Sequence, residues 1–270
     1  MAVVSSQHRV GPLLREWRKR RRRTQLDLAL DAGISARHLS FVETGRSTPS
    51  ADMVLLLSEQ LEVPFRERNH LLLAAGHAPA FPERSLEDPE LAPVREALDL
   101  VLTRHEPYPA LVIDRGWNIV AANSTTEALA GWFDPSLLEP PINMLRVMQV
   151  LVPRIVNLRE VRAFFVERLQ HQVAITGDED LASMLEDLAG HPVPEHEHSP
   201  ASEAAARGIL VPLRLRGPDG AELSFFGTVA TFGTAVEVTT SELSIECFFP
   251  ADAATAEALR NLPRSPAPRL

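Results

Sequence analysis

The stretch "TQLDLALDAGISARHLSFVETGRSTPS", Thr24 to Ser50, holds three helix starts and two helix stops in one short run. Thr24, Ser35 and Ser50 each precede helix-forming sequence. A hydroxyl there accepts a hydrogen bond from an otherwise orphaned backbone N–H of the first turn. Gly33 and Gly45 stand where helices end, a place that favours the left-handed backbone glycine adopts without strain. Between these signals Leu28, Ala29 and Ala32 share one helical face, and Leu39 and Val42 share another. The stretch therefore reads as two short helices set at an angle by a tight turn, with Ile34 pinning that turn and a further helix beginning at Ser50.

Working outward, "GPLLREWRKRRRR" is a first helix with Pro12 in its first turn and Leu13, Leu14 and Trp17 as its apolar stripe. A fourth helix runs from Ser50 to Leu61 and a fifth from about Phe65 to Ala75. An all-α, five-helix domain is expected over residues 1–78. The Pro- and acid-rich segment 79–94 follows as a linker. From 95 to 262 the pattern predicts an α+β domain with an antiparallel sheet. It starts with a helix over 94–105 and a hairpin in "PALVIDRGWNIVAAN". Helical periodicity then runs from Asn123 to Leu188, broken at "DPSLLEPP" and near Pro153. "GHPVPEHEHSPASEAAA" (190–206) reads as a loop. Three strand-like runs come next, "GILVPLRLR", "AELSFFGTVATF" and "ELSIECFFP", the first two joined by the hairpin signal "GPDG". A short helix covers 252–261, and 263–270 is a tail.

The formal net charge of −9 conceals two opposite halves. Residues 1–80 carry twelve Lys/Arg against eight Asp/Glu, a net of +4, whereas the remainder nets −13. A basic head on an acidic body points to an anionic partner at the head alone. No apolar run reaches membrane-spanning length and no signal-peptide core opens the chain, so a cytoplasmic, nucleoid-associated location without membrane contact is expected. The single cysteine, Cys247, precludes an internal disulfide framework. Its alternation with Ile245 and Phe249 predicts a core thiol.

A helix pair with this turn, these caps and this apolar pinning residue is the plan of a helix-turn-helix, whose second helix enters the DNA major groove. Residues 9–76 resemble the phage-repressor-like (XRE-type) helix-turn-helix. The resemblance implies that Gln25 bonds a phosphate and braces a base-reading side chain, and that Ser35, Ala36, Arg37 and Phe41 face the groove. Ala36 and Phe41 depart from the family's glutamines. Neither can hydrogen-bond to a base, although both can touch a thymine methyl, so direct readout falls mainly to Arg37, whose fork suits guanine. His38 is the next candidate, or else faces phosphate. Arg46, Arg22 and Arg23 are expected near the DNA backbone, the last two being part of "RKRRRR", which also complements a helix dipole. Glu43 would repel phosphate; its register places it beside Arg18, a pairing the family uses internally, so a partly buried structural ion pair is expected, the alternative being a solvated glutamate.

Residues 95–260 resemble the ligand-binding domain of MmyB-like transcription regulators, a PAS-like fold. The resemblance is carried by "PYPALVIDRGWNIVAAN", "PINMLR", "RIVN" opening a long helix, and "FGTAVEVTTSELSIECFFPAD". The family's His-Pro-Gly-type turn before that helix is replaced by "MQVLVPRIVN". The resemblance implies an apolar cavity with a fatty-acid-like ligand. Candidate ligand-binding residues are Asn143, Arg146, Phe165, Phe226, Phe232 and Phe248. For the phenylalanines ordinary sheet-on-helix core is the alternative. For Arg146 the alternatives are neutralising a ligand carboxylate and serving as a surface or structural arginine. Asn123 is expected to cap a helix and Trp117 to sit in the core. His191, His196 and His198 cluster in a Pro-rich acidic loop without cysteine, a poor setting for zinc, and no metal or cofactor is expected. There is no Gly-rich phosphate loop and no nucleophile elbow, so an enzyme is not expected. The sequence predicts a DNA-binding regulator acting as a homodimer on a palindromic double-stranded operator and sensing a small apolar ligand. The alternative is a regulator whose second domain is a protein-interaction or dimerisation module with no small ligand.

Overall fold

A computed structural model describes residues 10–132, 138–190 and 211–263. Two compact units divide the chain, the first holding the residues up to Glu83 and the second the bulk of those from Arg84 onward.

The first unit is a cluster of five helices: α1 (Val10–Arg20), α2 (Gln25–Asp31), α3 (Ala36–Glu43), α4 (Ala51–Gln60) and α5 (Phe65–Ala74). Thr24 accepts from the backbone N–H of Asp27, whose carboxylate accepts from the N–H of Thr24, a reciprocal capping box. Ser35 and Ser50 accept in the same way from His38 and Met53. Gly33 and Gly45 end α2 and α3 with φ of +65° and +72°. Helices this short do not stand alone in water; they stand because their apolar faces meet. Leu14, Leu28, Leu39, Leu57, Leu71 and Leu72 are all buried in one core, each contributing about 1.5–3 kcal/mol. Val10 and Gly11 of α1 come down on the C-terminal turn of α3. A Cβ at Gly11 would lie 2.5 Å from the Val42 carbonyl oxygen and 2.7 Å from that of Glu43, so only glycine allows this approach.

The segment read as a linker is more structured than its composition suggests. Asn69 of α5 accepts from the N–H groups of Ala80 and Phe81 and donates to the Phe81 carbonyl at 2.7 Å. The Phe81 ring stacks on Phe65 at 4.3 Å. Asp88 then caps a 3₁₀ turn, Pro89–Leu91, that leads directly into the next helix.

The second unit opens with α6 (Ala92–His105), the hairpin β1 (Ala110–Ile113) and β2 (Ile119–Ala122), and α7 (Ser124–Ala130). It continues with α8 (Met144–Leu151), α9 (Leu158–Thr176) and α10 (Glu179–Gly190), then β3 (Leu213–Arg216), β4 (Glu222–Thr231) and β5 (Ser244–Pro250), and closes on α11 (Ala253–Arg260). The strands form one sheet in the order β2-β1-β5-β4-β3, every neighbouring pair antiparallel. Central β1 is buried on both faces. Leu111 and Ile113 pack towards α8 and α9, while Ala110 and Val112 pack towards Leu98 and Leu102 of α6. That is why "ALVI" is apolar throughout instead of alternating. Phe232 lies just past the end of β4 rather than on a strand.

Polar contacts fix the hairpin turn and the long helix to the sheet. Asp114 accepts from the N–H groups of Gly116 and Asn118, closing the β1–β2 turn. Trp117 in that turn has φ +65°, is buried, and donates its indole N–H to Gln172 of α9 at 2.9 Å. Arg168, one helical turn before Gln172, lies 4.5 Å over the Trp117 ring and pairs with the buried Glu246 of β5. Asn157, just before α9, donates to the Pro212 carbonyl and accepts from the Arg214 N–H, holding edge strand β3 to the start of the long helix.

Candidate nucleic-acid interface and ligand cavity

The capped start of α3 leaves Ser35 and Arg37 exposed, whereas Ala36 is half-buried against the helical core. Phe41, one turn further along, is also half-buried, with two guanidinium groups near its ring. Arg37 lies 5.4 Å from its ring centroid and Arg46 5.8 Å. Both distances fall in the range where a cation is attracted to an aromatic face. The ring thus gives two exposed cations a common support, one from the helix and one from the turn after it. His38 is half-buried beside them, and Arg22 is exposed in a left-handed turn with φ +53°. Arg23 is engaged with Asp31.

Behind this surface the buried pair holds three helices together. Arg18 of α1 donates through Nε to Glu43 Oε1 at 2.6 Å and through Nη2 to Oε2 at 2.8 Å. Its Nη1 donates to the Arg23 carbonyl. Gln25 of α2 gives its amide N–H to Glu43 Oε2 at 2.8 Å, so its donor is directed at the carboxylate rather than outward. Burial alone would push the Glu43 carboxyl up. The hydrogen bonds from Arg18 and Gln25, with the positive charge of Arg18 and Arg15, outweigh that and hold it below the ordinary carboxylate value.

In the second unit, sheet and helices line a partly open cavity of about 700 Å³. Its floor is Leu111 of β1, Leu213 and Leu215 of β3, Phe225 of β4 and Phe248 of β5; α7 and α8 form the opposite wall. Because β2 is an edge strand, the cavity continues round it to the C-terminal half of α6 and the residue after it, where Asp99, Thr103 and Glu106 reach it. The lining is mainly aliphatic and aromatic, with a few polar groups confined to α6 and α7, and the volume lies within the range of small-molecule sites. A smaller apolar recess lies between α8, α9 and α10.

The family model for the MmyB-like transcription regulator ligand binding domain matches residues 94–262, well over half of the chain, and a helix-turn-helix model matches residues 14–68. The chain belongs to the MmyB-like transcription regulators. It is also similar to an uncharacterized HTH-type transcriptional regulator, RghRB, of Bacillus subtilis (strain 168). That match has 33% identity over 126 residues, which is 46% of this chain and 88% of the relative. Among solved structures, an RNA-binding light-oxygen-voltage receptor overlaps 95% of this chain, while the chain spans 63% of that receptor's length. Its TM-score of 0.26 at 15% identity is too low to support an argument.

In this MmyB-like regulator the residues expected to bind ligand are dispersed. Phe248 lines the cavity. Phe226 does not: it lies on the other face of β4 and stacks on Phe249 at 5.2 Å, while its neighbour Phe225 faces the cavity. Phe232 packs with the α6-side core, and Phe165 packs edge-on to Trp117 and lines only the smaller recess. Arg146 is exposed on α8 and is not part of the cavity lining, because its helical position points away from Met144, Val147 and Met148, which are. Asn143 is a latch: it caps α8 by accepting from Leu145 and Arg146, and it donates to the Gly116 carbonyl at 2.8 Å.

Asn123 caps α7 by accepting from Thr126 and reaches the carbonyls of Leu102 and Tyr108, though it also borders the cavity. Cys247 is half-buried, and burial followed by the adjacent Glu246 pushes its thiol up, away from thiolate chemistry. His191, His196 and His198 lie outside the described residues. The acidic lining residues Asp99, Glu106 and Glu127 carry no local sequence signal. They are ordinary helix acids until the fold brings them to one cavity.

Proposed function

We propose that this transcriptional regulator reads a palindromic double-stranded operator as a homodimer, and that its PAS-like second unit senses a small, mainly apolar ligand. The observation that carries the sensing half is the mainly apolar cavity of about 700 Å³ lined by sheet and helices. A protein-docking module has no need of such a space. The sheet order 2-1-5-4-3 supports the PAS-like reading. For the reading half, the exposed Arg37 and Arg46 that share the Phe41 ring support a division of labour. Arg37 addresses a guanine edge, and Arg46, with Arg22 and Arg23, addresses the backbone. Ser35, Ala36, His38 and Phe41 complete the groove-facing surface, and Gln25 acts by bracing Glu43.

One helix-turn-helix covers one half-site, so two copies are needed to read a palindrome. A ligand changes operator affinity only if it binds one arrangement of the dimer more tightly than another. Native mass spectrometry of the full-length chain, purified without detergent, tests the sensing half. A retained small-molecule mass, released on denaturation, is the expected result. Chain that is always free of any small mass, and that takes up nothing from a lipid extract, would instead favour the interaction-module reading.

A further inference from the structure

One helix of the second unit borders two spaces, and one of its side chains stands where they meet. Met144, Val147, Met148 and Leu151 of α8 line the cavity of about 700 Å³. Leu145, Met148, Gln149 and the following Val152 line the recess of about 50 Å³ towards α9 and α10. Each set has the i, i+3, i+4, i+7 spacing of a single helical face. The two faces cross at Met148, the one described residue that lines both spaces.

The chemistry of that side chain suits a movable wall. Methionine is unbranched, turns about three bonds and fills gaps of irregular shape. Met148 is half-buried at the margin of the core, whereas its neighbour Val147 is β-branched and holds one rotamer in a helix. Exchanging one staggered rotamer for another costs little beside the roughly fourfold affinity that each further buried methylene brings. The recess behind it is narrow. Its volume of about 50 Å³ falls well short of the ~150 Å³ that holds a benzene ring, and suits the tip of a single chain.

Resting on the proposed sensor function, we infer that Met148 determines the length and shape of ligand that the sensor accepts. It swings aside for the end of a long, unbranched aliphatic chain, which passes from the cavity into the recess, and it closes the recess to shorter or bulkier ligands. Phe165, which lines the recess and not the cavity, then meets the chain end.

The test uses the full-length chain and uncharged probes, so that length alone varies. These are n-alkanols from octanol to tetradecanol, each below its solubility limit, displacing the fluorophore N-phenyl-1-naphthylamine. In the wild type, affinity is expected to rise roughly fourfold per methylene through tetradecanol. Met148→Ile keeps the volume but stiffens the wall. It should bind octanol within about twofold of the wild type, while the last methylenes add less than about twofold each. Met148→Ala removes the wall and should tighten tetradecanol more than octanol. A wild-type series that levels off before tetradecanol, parallel series in all three proteins, or an Ile variant that loses octanol and tetradecanol equally overturns the role of Met148 and leaves the cavity as a ligand site. A chain that takes up neither the fluorophore nor any alkanol overturns the sensor reading and this inference with it.

Discussion

Phe41 illustrates how a side chain that cannot hydrogen-bond to a base can still matter to the proposed reading surface. Its ring supports Arg37 and Arg46 at 5.4 and 5.8 Å, so the two cations are held by one apolar body. Arg37→Ala is expected to cost roughly 1–3 kcal/mol of operator affinity and to relax preference at one base pair. Arg46→Ala should weaken all sequences alike and reduce the salt slope by about one. Phe41→Leu should cost about 0.5–1 kcal/mol for each arginine released. Titrations on operator and scrambled DNA at two salt concentrations separate the three; equal losses on both DNAs for Arg37→Ala would make it a backbone contact. Glu43 works inside the fold. Removing it leaves Arg18 buried without its partner, and Glu43→Ala should lower stability by about 3–5 kcal/mol. Because its folded value is depressed, its contribution is complete above the ordinary carboxylate range and is lost as pH falls through that folded value. Denaturant melts should therefore lose stability on acidification in the wild type, with a flatter acid limb in Glu43→Gln. Parallel limbs would show that the carboxylate's titration is not linked to folding.

At the scale of elements, what is local was legible and what depends on sidedness was not. Thr24, Ser35, Ser50 and Asn123 cap the helices expected of them, because a capping side chain and its N–H lie within three residues of each other. The pairing of Arg18 with Glu43 was readable because the helix-turn-helix resemblance carries it and a carboxylate facing phosphate would be repelled. The face of a strand is not. Phe225 and Phe226 are adjacent and point to opposite sides, so an error of one residue exchanges cavity for outer core. Gly11 left no sequence signal either, since its neighbour is a carbonyl thirty-odd residues away along the chain. Gly11→Ala should push α1 off the end of α3 and cost about 1–3 kcal/mol by overpacking. A thermal melt of the full-length chain checks this, and an unchanged melt would mean that α1 yields without loss. Asn157 performs the corresponding task for β3, and Asn157→Leu should loosen that edge strand, seen as faster amide exchange at Arg214.

For the whole molecule, the charge division and the two units fall together. The basic residues belong with the helix-turn-helix and the acidic excess with the cavity-bearing domain, so the second unit repels DNA while the first attracts it. The helix-turn-helix and an antiparallel sheet after it could be anticipated from caps, turns and periodicity; the order of the strands could not. The cavity followed only from the family resemblance, because a void is set by how β2, α6, α7 and α8 meet around it and by no residue alone. Whether cavity and reading helix form one device is tested most directly by the affinity of the full-length chain for an operator recovered from a genomic fragment selection, at fixed salt, with and without a total lipid extract. The account predicts a shift on the order of 5–150-fold, the range of ordinary allosteric coupling. Identical affinity at every lipid concentration, on an operator that is bound specifically, would contradict it.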